Sequence, residues 1–144
     1  MDKDILHKEI DLIQACITRM AHNSFLLKGW AISIIAVILA LADKTNNPII
    51  ISSILLIPLL CFWYLDSFFL RTEKLYRKMY EWVIEKRKLK DISFLYDLNP
   101  HRFDNEVESI RKVMWSITLR YFYGIPVLIT TSIIIYMSII KYIK

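Results

Sequence analysis

The chain has 144 residues, 56% of them hydrophobic, and a mean hydropathy of +0.39, too apolar for a water-soluble domain of this size. Two glycines and four prolines supply too little turn chemistry for an all-β fold. The net charge of +5 adjoins apolar segments and forms no separate polar patch, which points to lipid headgroups and away from nucleic acid.

The predicted fold is all-α: an integral membrane protein with three transmembrane helices and amphipathic cytoplasmic helices. It divides into an N-terminal amphipathic helix (1–23), a transmembrane hairpin (24–70, with spans 25–42 and 49–70), a basic helical region (71–119), and a third span with a short tail (120–144). The first 22 residues mix acids and bases, unlike a cleavable signal, so the N-terminus is expected to persist.

In the first segment Leu6, Ile10, Ile13, Ile17 and Met20 recur at spacings of four and three, the seam of a helix that pairs with another. The span that follows holds no charge from Gly29 to Ala42, and it reaches crossing length if Lys28 snorkels to the interface beside Trp30. Asp43 to Pro48 reads as a short polar hairpin, with Pro48 suited to the first turn of the next helix. Ile49 to Leu65 gives 17 apolar or small residues, interrupted by Pro58, a predicted kink.

Beyond Leu70 the chain turns basic. Arg71, Lys74, Arg77, Lys78, Lys86, Arg87 and Lys88 are candidate contacts for anionic lipid or a partner, at about 1 kcal/mol per well-placed cation. Asn99-Pro100 signals a break, and Asp104 is the expected N-cap of a further helix whose stripe, Val107, Ile110, Met114 and Ile117, complements the N-terminal one. Tyr121 to Ile140 is the clearest span, 20 uncharged residues between Arg120 and Lys141, with Pro126 expected to bend its near end. With the N-terminus inside, sixteen Lys and Arg lie on the cytoplasmic side against three outside, so the positive-inside rule puts the N-terminus in the cytoplasm and the C-terminus outside.

No catalytic constellation is found. His7, His22 and His101 lack the spacing of a metal site, no phosphate loop exists, and no cofactor or metal is implied. Cys16 and Cys61 have no CxxC partner and read as buried small hydrophobes. The residue that stands out is Asp66, a carboxylate inside an apolar helix, which must find Arg71, Lys28 or Arg120, or face water. Asp66, Pro58 and Pro126 are the candidate intramembrane or gating residues. Hydroxyls such as Ser52, Ser53, Thr130 and Thr131 are expected to bond helix backbone.

The run Arg19-Met20-Ala21-His22-Asn23-Ser24-Phe25 with Lys28-Gly29-Trp30, then Trp63-Tyr64-Leu65-Asp66 and Arg71 to Tyr80, resembles the small SLATT-type membrane proteins of bacterial conflict and anti-phage islands. The third span departs from their two-span pattern. The resemblance implies an oligomeric effector of the bacterial inner membrane that permeabilises or depolarises the cell when a cytoplasmic sensor protein fires. Three spans cannot enclose a conduit alone, so this activity requires a homo-oligomer in the bilayer. The alternatives are a membrane anchor or accessory subunit that recruits a cytoplasmic partner, and a small ion-channel subunit.

Overall fold

A computed structural model describes residues 3–42 and 47–143 of the chain. Among these residues every regular element is helical. Two helices dominate: α1 (Lys3–Ala42) and α2 (Pro48–Lys88), of 40 and 41 residues. At 1.5 Å per residue each is about 60 Å long, twice the ~30 Å of bilayer hydrocarbon. The N-terminal amphipathic stretch and the first apolar stretch are thus one continuous rod, and the same holds for the second apolar stretch and the basic segment. The predicted hairpin at Asp43 to Pro48 lies mostly outside the described residues, but Pro48 does occupy the first turn of α2, after an extended Asn47.

The two rods pack along each other, with an apolar half and a polar half. In the apolar half Ala31, Leu55, Leu59, Trp63, Val113, Leu119 and Tyr123 form one buried cluster. In the polar half Ile13, Leu75, Met79, Val83 and Phe103 form a second. The stretches Asp4–Leu41, Pro48–Lys88 and Ile117–Ile143 are long and apolar enough to cross a membrane. In their most apolar windows only 11%, 22% and 17% of residues are buried within the protein, so most of that apolar surface faces outward, far more than a water-soluble monomer leaves uncovered. These features are compatible with a multi-pass membrane protein.

The end of α2 shows how side chains and backbone combine. Lys86, Arg87 and Lys88 fill the last turn, where cations oppose the negative end of the helix dipole. Lys90 adopts φ 58°, its N–H donates to the Arg87 carbonyl, and the Asp91 N–H donates to that of Lys86. This is a Schellman stop with lysine where glycine is usual.

The long helix expected from Asp104 does not form. Its place is taken by a 3-10 turn (Pro100–Phe103), a bend, and the short helices α3 (Ile110–Met114) and α4 (Ile117–Leu119). Competing donors explain both interruptions. Arg71 donates to the carbonyls of Asp104 (3.2 Å) and Glu108 (3.0 Å), which a continuous helix would have used itself. The Trp63 indole N–H donates to the Met114 carbonyl (2.9 Å), where α3 ends. Asp104 is an ion-pair partner of Arg71 and closes the 3-10 turn at its C-terminal end, so it starts no helix.

The third long apolar stretch is reached through a π turn (Arg120–Gly124) that leads into α5 (Ile125–Ile143). Pro126 is the second residue of α5 and has no N–H to return to the preceding turn. A π turn just before it is one way to place the irregularity that such a residue enforces. Pro58 sits inside a continuous α2, half-buried.

Candidate functional site

Two clusters of charged side chains are buried between the helices, one in each half. The first is built on Asp66, fully buried in α2. Its carboxylate accepts from the Ser24 hydroxyl and from the Tyr123 hydroxyl at 3.1 Å, and pairs with Lys28 Nζ at 2.6 Å. Lys28 also donates to Ser24 Oγ at 2.9 Å. Ser24 and Lys28 lie one turn apart on α1, and the π turn presents Tyr123, so all three apolar stretches contribute to one network. Neighbouring Ser67 is also fully buried and bonds the Tyr64 carbonyl at 2.6 Å.

Asp66 lies 18 residues from Pro48, or about 27 Å along α2, a distance close to the ~30 Å thickness of bilayer hydrocarbon. Of the three cations anticipated for Asp66, Lys28 is the partner; Arg71 is drawn to Asp104, and Arg120 stands over the Tyr121 ring, 5.4 Å from its centre.

The second cluster lies about 32 Å further along α2, the rise of the 21 residues to Arg87. Arg87 Nε and Nη2 bind the two carboxylate oxygens of Glu9 at 2.8 and 2.7 Å, a bidentate pair with side chains only 1% and 2% exposed. The remaining Nη1 donates to the carbonyls of Asp91 and Ser93, and the Tyr96 N–H donates to Glu9 at 3.2 Å. The loop 89–99 is thereby wrapped over the ion pair, with Phe94 and Tyr96 at φ 57° and 60°. Desolvation pushes the Glu9 carboxyl up, but the Arg87 hydrogen bonds, the Tyr96 N–H and the Arg87 charge outweigh it and hold the group below its ordinary 4.5. Ser93, through its side chain and backbone, and then Lys86 hold Asp91 well below the usual carboxylate range.

The basic residues expected to meet lipid or a partner are mostly engaged within the chain. Arg71 pairs with Asp104 at 2.9 Å, Lys74 with Glu108, Arg77 with Glu73 at 2.7 Å, Lys78 with Glu81 at 2.9 Å, and Lys86 with Asp91 at 3.0 Å. Arg87 is withdrawn from the surface altogether, because a bidentate carboxylate and two carbonyls use its whole guanidinium. Lys88 alone of that set is exposed with no ion pair among the described residues.

The expected seam is also rearranged. Ile13 is buried, Ile17 packs beside it, and Leu6, Ile10 and Met20 are half-buried. Their partners are Leu75, Met79 and Val83 of α2, while the stretch from Asp104 onward supplies only Val107 to the same cluster. Val107 stands in a bend, Ile110 is half-buried, Met114 joins the apolar-half cluster, and Ile117 is 72% exposed. The interruptions around α3 and α4 turn these residues in different directions. Cys16 is buried, whereas Cys61 faces outward from α2.

Glu9, Ser24, Trp63 and Tyr123 are not among the candidate site residues read from the sequence. Glu9, Ile13, Cys16, Ser24 and Ala31 are the buried positions of α1, and their spacings of mostly three, four or seven continue one face. Among the described residues no three His, Cys, Asp or Glu come together as a metal site. No family model, no curated protein and no solved structure matches this chain.

Proposed function

We propose that the chain is a multi-pass protein of the bacterial inner membrane, N-terminus inside, and that in oligomeric form it acts as a defence effector that permeabilises or depolarises the bilayer. Kinship with SLATT-type effectors belongs to the same proposal. The observation that carries it is the Asp66–Lys28–Ser24–Tyr123 network, a fully buried carboxylate paired with a lysine and shared by three apolar stretches. A carboxylate in that setting is costly unless paired, and ionisable groups retained inside spans commonly mark ion or proton paths.

In this reading the chain is described in its quiet state. The hydroxyls of the apolar stretches are spent on their own helix backbone: Ser33 donates to the Gly29 carbonyl, Ser53 to that of Ile49, Thr130 to that of Pro126 and Thr131 to that of Val127. Displacing α1 along α2 separates Lys28 from Asp66, and the exposed charges then require water or a second subunit. The Glu9–Arg87 cluster, on the same two rods, is the cytoplasmic lock on that displacement.

The experiment is induced expression in cells loaded with a voltage-sensitive dye. Wild type is expected to retain the membrane potential, Glu9→Gln to dissipate it, and Glu9→Gln combined with Lys28→Met and Asp66→Asn to retain it again. Full retention by a Glu9→Gln protein recovered in the membrane fraction overturns the proposal.

One observation favours a second reading, an anchor that recruits a cytoplasmic partner. Leu89, Ile92 and Phe94 are 78%, 63% and 59% exposed at the tip of the polar half, about 30 Å from the Asp66 level and beyond reach of lipid tails. Crosslinking that yields a stoichiometric hetero-complex and no homo-oligomer would favour the anchor.

A further inference from the structure

An apolar groove opens where the π turn meets α5. Its volume is 370 Å³, and its walls include Trp63, Trp115, Gly124, Val127 and Leu128, with Arg120 as the only charged lining residue. The aromatic walls are fixed: Trp63 is held by its bond to the Met114 carbonyl, and Trp115 meets it edge to face at 5.7 Å. Gly124 is buried at the base, leaving the passage between Arg120 and Trp63 without a side chain.

The charge at the rim faces the Tyr121 ring and no carboxylate. Arg120 has no ion pair among the described residues, and the acids of the neighbouring elements are engaged elsewhere: Asp66 by Lys28, Asp104 by Arg71, Glu108 by Lys74. Trp115 and Tyr121, 64% and 58% exposed, flank it with amphipathic rings of the kind that settle at headgroup level. Twenty uncharged residues follow Arg120, so its guanidinium stands at the start of the span and the groove runs from that level toward the hydrocarbon.

We infer that this groove binds one anionic phospholipid of the inner leaflet, its phosphate on Arg120 and an acyl chain along Trp63, Trp115 and Leu128. Charge complementarity selects the occupant: a lone guanidinium at the mouth of an otherwise apolar slot matches a negative headgroup on a hydrocarbon tail. A planar guanidinium also suits a phosphate better than an ammonium does. The inference rests on the membrane reading above, but not on pore formation.

The test is tryptophan quenching in vesicles by acyl-brominated lipids. The full chain carries Trp30→Phe and Trp82→Phe, so that Trp63 and Trp115, both in the groove, report alone. Brominated phosphatidylglycerol is compared with brominated phosphatidylcholine at equal mole fraction. An association ratio of about fivefold in favour of phosphatidylglycerol is expected, the factor that ~1 kcal/mol for one basic residue at the surface corresponds to. Arg120→Gln is expected to bring the ratio to about one, and Arg111→Gln with Lys112→Gln, which lie outside the groove, to leave most of it. Equal quenching by the two lipids in the parent chain, or a preference that survives Arg120→Gln, overturns the inference. Absence of quenching by either lipid overturns the membrane reading as well. The same titration on the chain with all four tryptophans decides the matter if the double background does not fold.

Discussion

The two ion pairs built on buried carboxylates join the same two helices and differ in almost everything else. Glu9–Arg87 is saturated: both carboxylate oxygens and all three guanidinium nitrogens are bonded, and a loop seals it from solvent. Lys28–Asp66 is lopsided: the carboxylate is fully buried with two hydroxyl donors, while the lysine remains 26% exposed on a flexible stem. Arginine offers a rigid fork that fixes the angle between partners, whereas lysine offers a point charge that can follow water. The polar half is therefore built as a fixed staple and the apolar half as a contact that can open.

Removing one partner of each pair should expose that difference. Arg87→Ala strands the Glu9 carboxylate among buried groups, with only the Tyr96 N–H left to it, and releases the carbonyls of Asp91 and Ser93. A loss of about 3–5 kcal/mol is expected in unfolding measured in detergent, with new protease sensitivity confined to residues 89–99. Arg87→Lys keeps the charge but cannot reproduce the fork, so it should still lose about 1.5–3 kcal/mol. A lysine variant as stable as wild type would show that the staple is only electrostatic.

At the other pair the cost should depend on which partner is taken. Lys28→Met leaves Asp66 charged and fully buried and should cost about 2–4 kcal/mol, whereas Asp66→Asn leaves a lysine that can turn outward and should cost about 1–2 kcal/mol. The double variant should lie nearer to wild type than the sum of the two. Equal single-variant losses in the same unfolding assay would mean that Lys28 is held as firmly as Arg87.

The contrast also explains what could be read from the amino-acid pattern. Long apolar runs are a property of the chain alone, so the helical character and three stretches of membrane-crossing length were legible, as was the need of Asp66 for a cation. The pairing face of α1 was not. A stripe composed only of aliphatic residues selects Leu6, Ile10, Ile13, Ile17 and Met20, whereas the buried face includes Glu9 and Ser24, whose burial is tolerable only because residues 78 and 42 positions away neutralise or bond them. α2 does the same, carrying Asp66 and Arg87 on the face that holds Leu59, Trp63, Leu75, Met79 and Val83. Charges placed on a hydrophobic seam set the register of the two helices, and nothing local in either helix announces them. The lost helix after Asp104 has the same origin, since its carbonyls are claimed by Arg71 and Trp63 from α2.

Acid should act on the staple through Glu9. Its folded pKa lies below the ordinary 4.5, so the carboxylate's contribution is fully present above that value and is lost as pH falls through the lowered one. Lys74 holds Glu108 below its usual range by hydrogen bond and charge, so wild type alone reports a mixture. The difference in stability between wild type and Glu9→Gln isolates the group: it should be constant from about pH 7 to about pH 5 and shrink below about pH 4. A difference that grows on acidification would mean that the buried carboxyl is protonated in the folded chain.

The smallest effect tests the backbone competition at the other end of the fold. Trp63→Phe removes the indole N–H from the Met114 carbonyl while keeping an aromatic ring in the apolar cluster. One neutral hydrogen bond and some lost packing amount to about 1–2 kcal/mol, partly offset because the freed carbonyl can accept the N–H four residues on and join α3 to α4. Helix content should therefore rise slightly as stability falls, a pairing of signs that simple loss of packing does not produce. Amide exchange at Trp115 to Thr118 would register the repaired turn as slower, and faster exchange there would show that Trp63 holds the break in place without having caused it.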